Sequence, residues 1–196
     1  MEYRIDRKSL LDTLSGWDAF LKRKVCLIAC GGTALTLLGV KDSTKDIDLL
    51  VPQPGEYEYL VGILKDIGYR QATGSGWMRG EGFVFDLFKG NMVHTTELIE
   101  SPLEKGNNTP VKELNHIYLG VLNYYDLLIS KLFRSSSVDI EDCLGLVRAK
   151  RTDIDIQKLK GRFSRTASFD VLGQQALKNL EFFIKRLNKE GLYHGL

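Results

Sequence analysis

The sequence has little of several features that usually assign a protein to a class early. It contains three cysteines in 196 residues, an odd number that favours unpaired thiols in a reducing compartment over a disulfide framework. Its first residues are polar and do not resemble a signal peptide. No apolar run approaches the roughly 20 residues that a membrane-spanning helix needs. We therefore expect a soluble, cytoplasmic protein with no membrane partner.

An excess of charge of one sign and internal repetition are also lacking. The net charge is +2, so bulk charge indicates no particular partner, and binding of nucleic acid would require a local basic face. The sequence shows no internal repeat and no low-complexity segment. Hydrophobic residues make up 43% of the chain, which is enough for a sizeable core and too many for a disordered protein.

The pattern of apolar residues divides the chain near residue 122. Residues 1–122 combine an N-terminal helical pattern with strand-like apolar runs and one further strong helix, which predicts an α/β front part. Residues 123–196 show helical periodicity only, which predicts an α-helical C-terminal lobe.

The candidate site begins at a glycine turn and continues in an acidic motif. The apolar run Val25–Cys30 leads into Gly31-Gly32, and a short helix and a polar loop separate this turn from Asp46-Ile47-Asp48. Residues i and i+2 of a strand point to the same side, so Asp46 and Asp48 should project together. Adjacent carboxylates repel each other, and a divalent cation between them relieves that repulsion. The pattern therefore predicts a metal site.

A third carboxylate and a phosphate-binding turn would complete such a site. Asp86 is the one polar residue in the strand-like run 83–88. Magnesium prefers oxygen ligands of this kind and completes its shell with water and substrate phosphates. The amides of a glycine turn that ends a strand and opens a helix can hold phosphate oxygens. This order of elements suits nucleotidyl transfer.

These residues resemble the nucleotidyltransferase superfamily with a polymerase-beta-like core. Its motif is a pair of small residues, a spacer of about a dozen residues, two acids separated by one apolar residue, and a third acid on a later strand. Gly31–Leu35 and Thr44–Leu49 are similar in particular to small bacterial and archaeal nucleotidyltransferases related to abortive-infection toxins. The helical segment Asn123–Arg134, followed by Asp139 and Asp142, extends the resemblance to residue 148.

The resemblance implies a nucleotidyltransferase core with a mixed sheet that moves a nucleoside monophosphate from a nucleoside triphosphate to an acceptor hydroxyl. The acceptor would be RNA, protein or a small molecule, the cofactor Mg²⁺ or Mn²⁺, and a toxin-like member could have an antitoxin partner. The implied catalytic and metal-binding residues are Asp46, Asp48 and Asp86, and the implied nucleotide-binding residues are Gly31, Gly32, Thr33, Lys131 and Arg134. Many members have Gly-Ser where this chain has Gly31-Gly32, so a hydroxyl is missing at the second position.

Several alternatives stay open at this point. Lys131 and Arg134 could be solvated or form structural ion pairs with Asp139 and Asp142 instead of contacting a triphosphate. Trp77 and Arg79, which lie between glycines, could form a base-stacking flap or belong to a hairpin.

Other functions also fit parts of the pattern. A sugar-nucleotide glycosyltransferase would use Asp46-Ile47-Asp48 as its metal motif, although the early Gly-Gly turn and the short core disfavour it. A non-catalytic module that binds a nucleotide or a partner would retain the same fold.

Overall fold

A computed structural model describes residues 4–80 and 84–195, which form two compact units. The first, here called the sheet unit, contains the chain up to Met92 together with Glu100–Asn123. The second, here called the helical unit, contains Val93–Ile99 and the chain from Tyr124 onward. The segment Val93–Ile99 thus belongs with residues that lie some thirty positions later, a placement that the change of composition near residue 122 does not indicate.

The order of elements follows the expected sequence of strands and helices, with a helical end. In chain order they are β1 (Ile5–Asp6), α1 (Arg7–Asp18), β2 (Val25–Ala29), α2 (Gly31–Leu37), β3 (Ser43–Thr44), β4 (Ile47–Val51), α3 (Pro54–Asp66), β5 (Arg70–Gln71), β6 (Gly76–Met78), β7 (Val84–Lys89), β8 (Met92–Val93), β9 (Thr96–Glu97), β10 (Asn108–Glu113), β11 (Ile117–Leu122), α4 (Tyr124–Arg134), α5 (Ser137–Ala149), α6 (Ile156–Ala167) and α7 (Gly173–Lys189).

The main sheet is mixed, with the strand order β10-β11-β2-β4-β7-β6-β5. Strand β2 is parallel to β11 and β4 is parallel to β7, whereas the other neighbours are antiparallel. All five residues of β4 are buried, because the strand lies at the centre of the sheet. The acidic motif therefore enters the middle of the fold, where the positions of its side chains are determined by neighbours on both sides.

Aromatic packing holds the strand that carries the third acid. The Trp17 ring of α1 lies 4.6 Å from the Phe85 ring of β7, and the Tyr69 ring lies 5.2 Å from Phe85. Such contacts add to the free energy gained from burying apolar area. Trp77 is buried in β6, which pairs antiparallel with β7, so the hairpin alternative for this residue is the one observed.

The helical unit is held together by its own core and by a buried ion pair. Arg162 of α6 binds both carboxylate oxygens of Asp126 in α4, at 2.8 Å each. The rings of Phe133 and Phe163 pack with their centroids 5.1 Å apart. A mixed sheet in one unit and helices in the other confirm the fold class expected from the sequence. None of the helices formed by residues 4–80 and 84–195 combines the length and the apolar character needed to cross a membrane.

Candidate active site

The glycine turn after β2 is shaped by the acidic motif that faces it. Gly31 is the first residue of α2 and has a φ of +55°, which favours glycine. A Cβ atom at this position would overlap the Asp48 carboxylate. Gly31 is therefore required for two reasons, its backbone conformation and the space that Asp48 occupies.

Asp48 is anchored by backbone contacts from this turn. Its carboxylate oxygen Oδ2 accepts a hydrogen bond from the Gly32 N–H at 3.1 Å. Its backbone carbonyl accepts another from the Cys30 N–H, also at 3.1 Å. The Asp48 side chain is almost completely buried, so these contacts are made largely out of water. The turn and the second acid of the motif form one rigid local structure.

Thr33 completes the connection between the turn and the acidic motif. Its hydroxyl accepts a hydrogen bond from the Asp48 N–H at 2.8 Å and donates one to the Asp46 carbonyl at 3.1 Å. Thr33 is fully buried. Its role as a nucleotide-binding residue stays a prediction, and the contacts observed are to the protein backbone.

The second and third acids are neighbours across two strands. Asp48 of β4 is the register partner of Asp86 of β7. The Ser75 hydroxyl donates a hydrogen bond to Asp86 Oδ1 at 2.7 Å. Asp86 was found from the sequence, whereas Ser75 was not. The signal for Ser75 is its place beside Gly76, which pairs with Asp86 in the antiparallel β6–β7 ladder.

The charge of Asp86, the third acid, affects the pKa of Asp46, the first acid. Asp46 is exposed and directly precedes the first residue of β4. Partial burial and the negative charge of Asp86 raise the pKa of Asp46 above its usual value, and the charge of Lys45 opposes this only in part. Asp46 and Asp86 are thus close enough to repel each other.

The acids have the chemistry of a magnesium site. Oxygen donors suit Mg²⁺ or Mn²⁺, and the repulsion between Asp46 and Asp86 is what a cation there would relieve. Among residues 4–80 and 84–195, no group of three or more His, Cys, Asp or Glu side chains converges in metal-binding geometry. The Asp48 carboxylate contacts the glycine turn instead. The carboxylate oxygens thus fit a divalent cation by their chemistry, and the role of all three acids as ligands stays a prediction.

The second glycine of the turn has a specific neighbour. A Cβ atom on Gly32 would lie 2.5 Å from the Thr44 hydroxyl oxygen. The space in which a serine side chain would begin is thus occupied by Thr44, which is buried. This chain lacks the serine hydroxyl of Gly-Ser, and the Thr44 hydroxyl of β3 lies beside Gly32 instead. Thr44 was not identified from the sequence as a residue near the site.

The two predicted cationic residues belong to the helical unit and form ion pairs there. Lys131 Nζ lies 2.7 Å from Asp142 Oδ2 and 3.3 Å from Asp139 Oδ1, and Arg134 Nη2 lies 2.6 Å from Asp139 Oδ1. Only 4% of the Lys131 side chain is exposed, against 31% for Arg134. These are the structural ion pairs considered as the alternative. Binding of nucleotide by Lys131 and Arg134 stays a prediction.

The pKa values in this cluster of ion pairs reflect both its burial and the charges of its members. Burial disfavours the charge of Lys131, but Asp142 and Asp139 outweigh it, so the pKa of Lys131 is raised. Burial likewise opposes the charge of Asp139, but Arg134 and Lys131 lower the pKa of Asp139. His94 lies near the same cations, and burial together with their charges lowers its pKa to about 4. Its imidazole is neutral near pH 7.

Comparison with known proteins agrees with this geometry. The sequence profile of the family described as "Nucleotidyltransferase of unknown function (DUF6036)" matches residues 18–190. The chain belongs to this family. The superfamily assignment made from the glycine turn and the acidic motif is thereby confirmed, and the protein is a nucleotidyltransferase. No curated protein sequence matches the chain.

Solved structures of nucleotidyltransferases share the fold. The crystal structure of ANT(2″)-Ia in complex with adenylyl-2″-tobramycin has a TM-score of 0.54 and 17% identity, covering 79% of this chain and 92% of that one. The solution structure of the antibiotic-resistance factor ANT(2″)-Ia has a TM-score of 0.57 and 17% identity, covering 93% and 100%. At these identities the likeness shows the fold.

Proposed function

We propose that the protein transfers a nucleoside monophosphate from a nucleoside triphosphate to an acceptor hydroxyl, in a reaction that requires Mg²⁺ or Mn²⁺. The observation that carries the proposal is the joining of the glycine turn, the Asp46-Ile47-Asp48 motif and Asp86 at one place on the sheet. In the reaction a bond forms between the acceptor oxygen and the α-phosphorus, and the bond from the α-phosphorus to the bridging oxygen breaks. Pyrophosphate leaves, and the proton of the acceptor hydroxyl is released.

The three carboxylates have distinct roles in this proposal. Asp46, Asp48 and Asp86 would hold the divalent cation, which when bound neutralises charge on the triphosphate. Asp86 would also take the proton from the acceptor hydroxyl, since a carboxylate beside the reacting oxygen can act as a general base. Its contact with Ser75 leaves the carboxylate in one orientation for that task.

The acceptor class is open among three candidates. In the structure of ANT(2″)-Ia the bound molecule is an adenylylated tobramycin, so a small molecule with hydroxyl groups is one candidate for this chain. RNA and protein are the others. A toxin-like role with an antitoxin partner is a further proposal that the family relationship motivates.

The direct test uses four α-³²P-labelled nucleoside triphosphates with Mg²⁺ or Mn²⁺. Each is incubated with three acceptors in separate reactions, namely total RNA, cell protein and tobramycin. The inactive control is Asp46→Ala/Asp48→Ala. The matched active control is Glu113→Gln, which removes an exposed acid of β10 that pairs with Lys24.

We expect label to enter one acceptor class with the wild type and with Glu113→Gln, and to be absent with the double variant. No labelling above the double variant with any of the four nucleotides would contradict catalysis. Metal-dependent binding of a triphosphate without turnover would support the non-catalytic module, and preferential binding of a sugar nucleotide would support the glycosyltransferase. Growth arrest on expression that Asp48→Ala relieves would support the toxin role.

A further inference from the structure

A buried hydroxyl connects the glycine turn to both acids of the motif. Thr33 Oγ1 accepts from the Asp48 N–H at 2.8 Å and donates to the Asp46 carbonyl at 3.1 Å. The hydroxyl thus contacts the residue before and the residue after Ile47. One donor and one acceptor on a single atom hold the backbone of the Asp-Ile-Asp segment at the point where it enters β4.

The position of this hydroxyl is itself well determined. Thr33 lies in the first turn of α2 and is fully buried. Its χ1 angle is restricted because the side chain is β-branched. The Cys30 N–H also donates to the Asp48 carbonyl and so holds the same segment. A small rotation of Thr33 would leave the buried Asp48 N–H without its bond, which is costly in a dry environment.

From these contacts we infer that Thr33 is a positioning residue, whose hydroxyl sets the spacing of the Asp46 and Asp48 carboxylates for divalent-cation binding. This inference rests on the proposed function, because it assigns the acids to a cation. It differs from the role in phosphate binding that the sequence suggests for Thr33. Residues that orient metal ligands typically change metal affinity or activity by about 10–100-fold when they are removed.

The helix offers a matched control one turn further on. Thr36 is also buried, and its hydroxyl donates to the Gly32 carbonyl at 3.1 Å within α2. Thr36→Val therefore removes a buried hydroxyl from the same helix without touching the acidic motif. Thr33→Val removes both bonds to the motif and keeps the shape of the side chain, and Thr33→Ser keeps the hydroxyl.

The experiment measures Mn²⁺ binding to the full chain without nucleotide, by electron paramagnetic resonance of the free ion. A second measurement follows binding of a triphosphate in EDTA, where no metal contributes. We expect Thr33→Val to weaken Mn²⁺ binding about tenfold or more and to leave metal-free triphosphate binding unchanged. The Mn²⁺ affinities of Thr33→Ser and Thr36→Val should both stay within about threefold of the wild-type value, because the hydrogen bonds from residue 33 to the acidic motif are kept.

The opposite pattern would overturn the inference. If Thr33→Val binds Mn²⁺ like the wild type but loses metal-free triphosphate binding, the hydroxyl is a phosphate contact.

If Thr33→Val does not fold, hydrogen exchange of the Asp48 amide in the wild-type protein decides. Slow exchange supports the bond to Thr33, and exchange as fast as in the unfolded chain refutes it. Failure of the inference and failure of the proposed function are distinguishable. A wild-type protein that binds Mn²⁺ but transfers no nucleotide refutes the proposed function alone, whereas a Thr33→Val protein that binds Mn²⁺ like the wild type refutes this inference alone.

Discussion

The acids of the sheet unit and those of the helical unit are compensated in different ways. In the sheet unit a backbone amide contacts Asp48 and a hydroxyl contacts Asp86, while partial burial and the charge of Asp86 raise the pKa of Asp46. In the helical unit Asp142 lies against the ammonium group of Lys131 at 2.7 Å. The comparison teaches that similar carboxylates serve stability where a buried cation of the chain neutralises them. That the acids of the sheet unit bind an external cation stays a prediction.

The largest expected effect is a loss of activity when an acid of the sheet unit is replaced. Asp48→Asn should reduce nucleotidyl transfer by more than about a hundredfold, since changes in outer contacts to metal ligands alone cost 10–100-fold. The asparagine can still accept the Gly32 N–H, so the fold should persist. Steady-state kinetics with saturating Mg²⁺, beside thermal unfolding, measures both. An active Asp48→Asn enzyme would show that the Asp48 carboxylate is not needed for the chemistry.

The next effect concerns the stability of the helical unit. Lys131→Met should destabilise the protein by about 3–5 kcal/mol, because it removes the buried ammonium group that lies 2.7 Å from Asp142 and 3.3 Å from Asp139. Arg134→Met should cost less, since 31% of the Arg134 side chain is exposed. Urea unfolding monitored by circular dichroism gives both values. Equal losses would mean that burial does not distinguish these two cations.

The pH dependence of stability probes the same cluster. The pKa of His94 is lowered to about 4, whereas an unfolded histidine titrates near 6.5. Between these values the unfolded state binds more protons, so stability falls as the pH falls from about 6.5 towards 4, by roughly 2–3 kcal/mol. His94→Asn should flatten this part of the profile. Asparagine is chosen because it tolerates the φ of +52° at this position. Profiles of equal slope would contradict the assignment.

A packing substitution tests the glycine turn of the sheet unit. Gly32→Ser should cost about 1–3 kcal/mol, because its Cβ would meet the Thr44 hydroxyl. Adding Thr44→Ala should recover most of this loss. Gly62→Ser in α3 is the matched control, since a Cβ there meets nothing within 4 Å. Chemical unfolding of the four proteins checks the prediction, which fails if the double variant is no more stable than Gly32→Ser.

The smallest expected effect has the opposite sign. Asp46→Asn should raise the unfolding temperature of the metal-free protein at pH 7 by roughly 1–2 °C, because relief of an exposed repulsion is worth less than about 1 kcal/mol. The gain should disappear below the pKa of Asp46, where the wild-type carboxyl is already neutral. Scanning calorimetry at pH 7 and at low pH measures both. A decrease at pH 7 would show that Asp46 stabilises the metal-free fold.

Much of the fold could be predicted from local patterns. The apolar run at Val25 gives β2, because a strand in the middle of a sheet is buried on both faces. The alternation that begins at Asp46 gives β4. The segment 93–99 could not be predicted, because its sequence also allows a short helix over residues 95–99, whereas the structure has β9 at Thr96–Glu97. Two-residue strands carry almost no periodic signal.

The sequence by itself determined the order of elements, the glycine turn and the acidic residues of the candidate site, because periodicity and motif spacing are local properties of the chain. Only the tertiary structure decided which side chains surround that site. The Thr33 hydroxyl bridges Asp46 and Asp48, Thr44 fills the space beside Gly32, and Ser75 contacts Asp86. These partners are about a dozen residues apart in sequence, and strand register and burial bring them within hydrogen-bonding or packing distance.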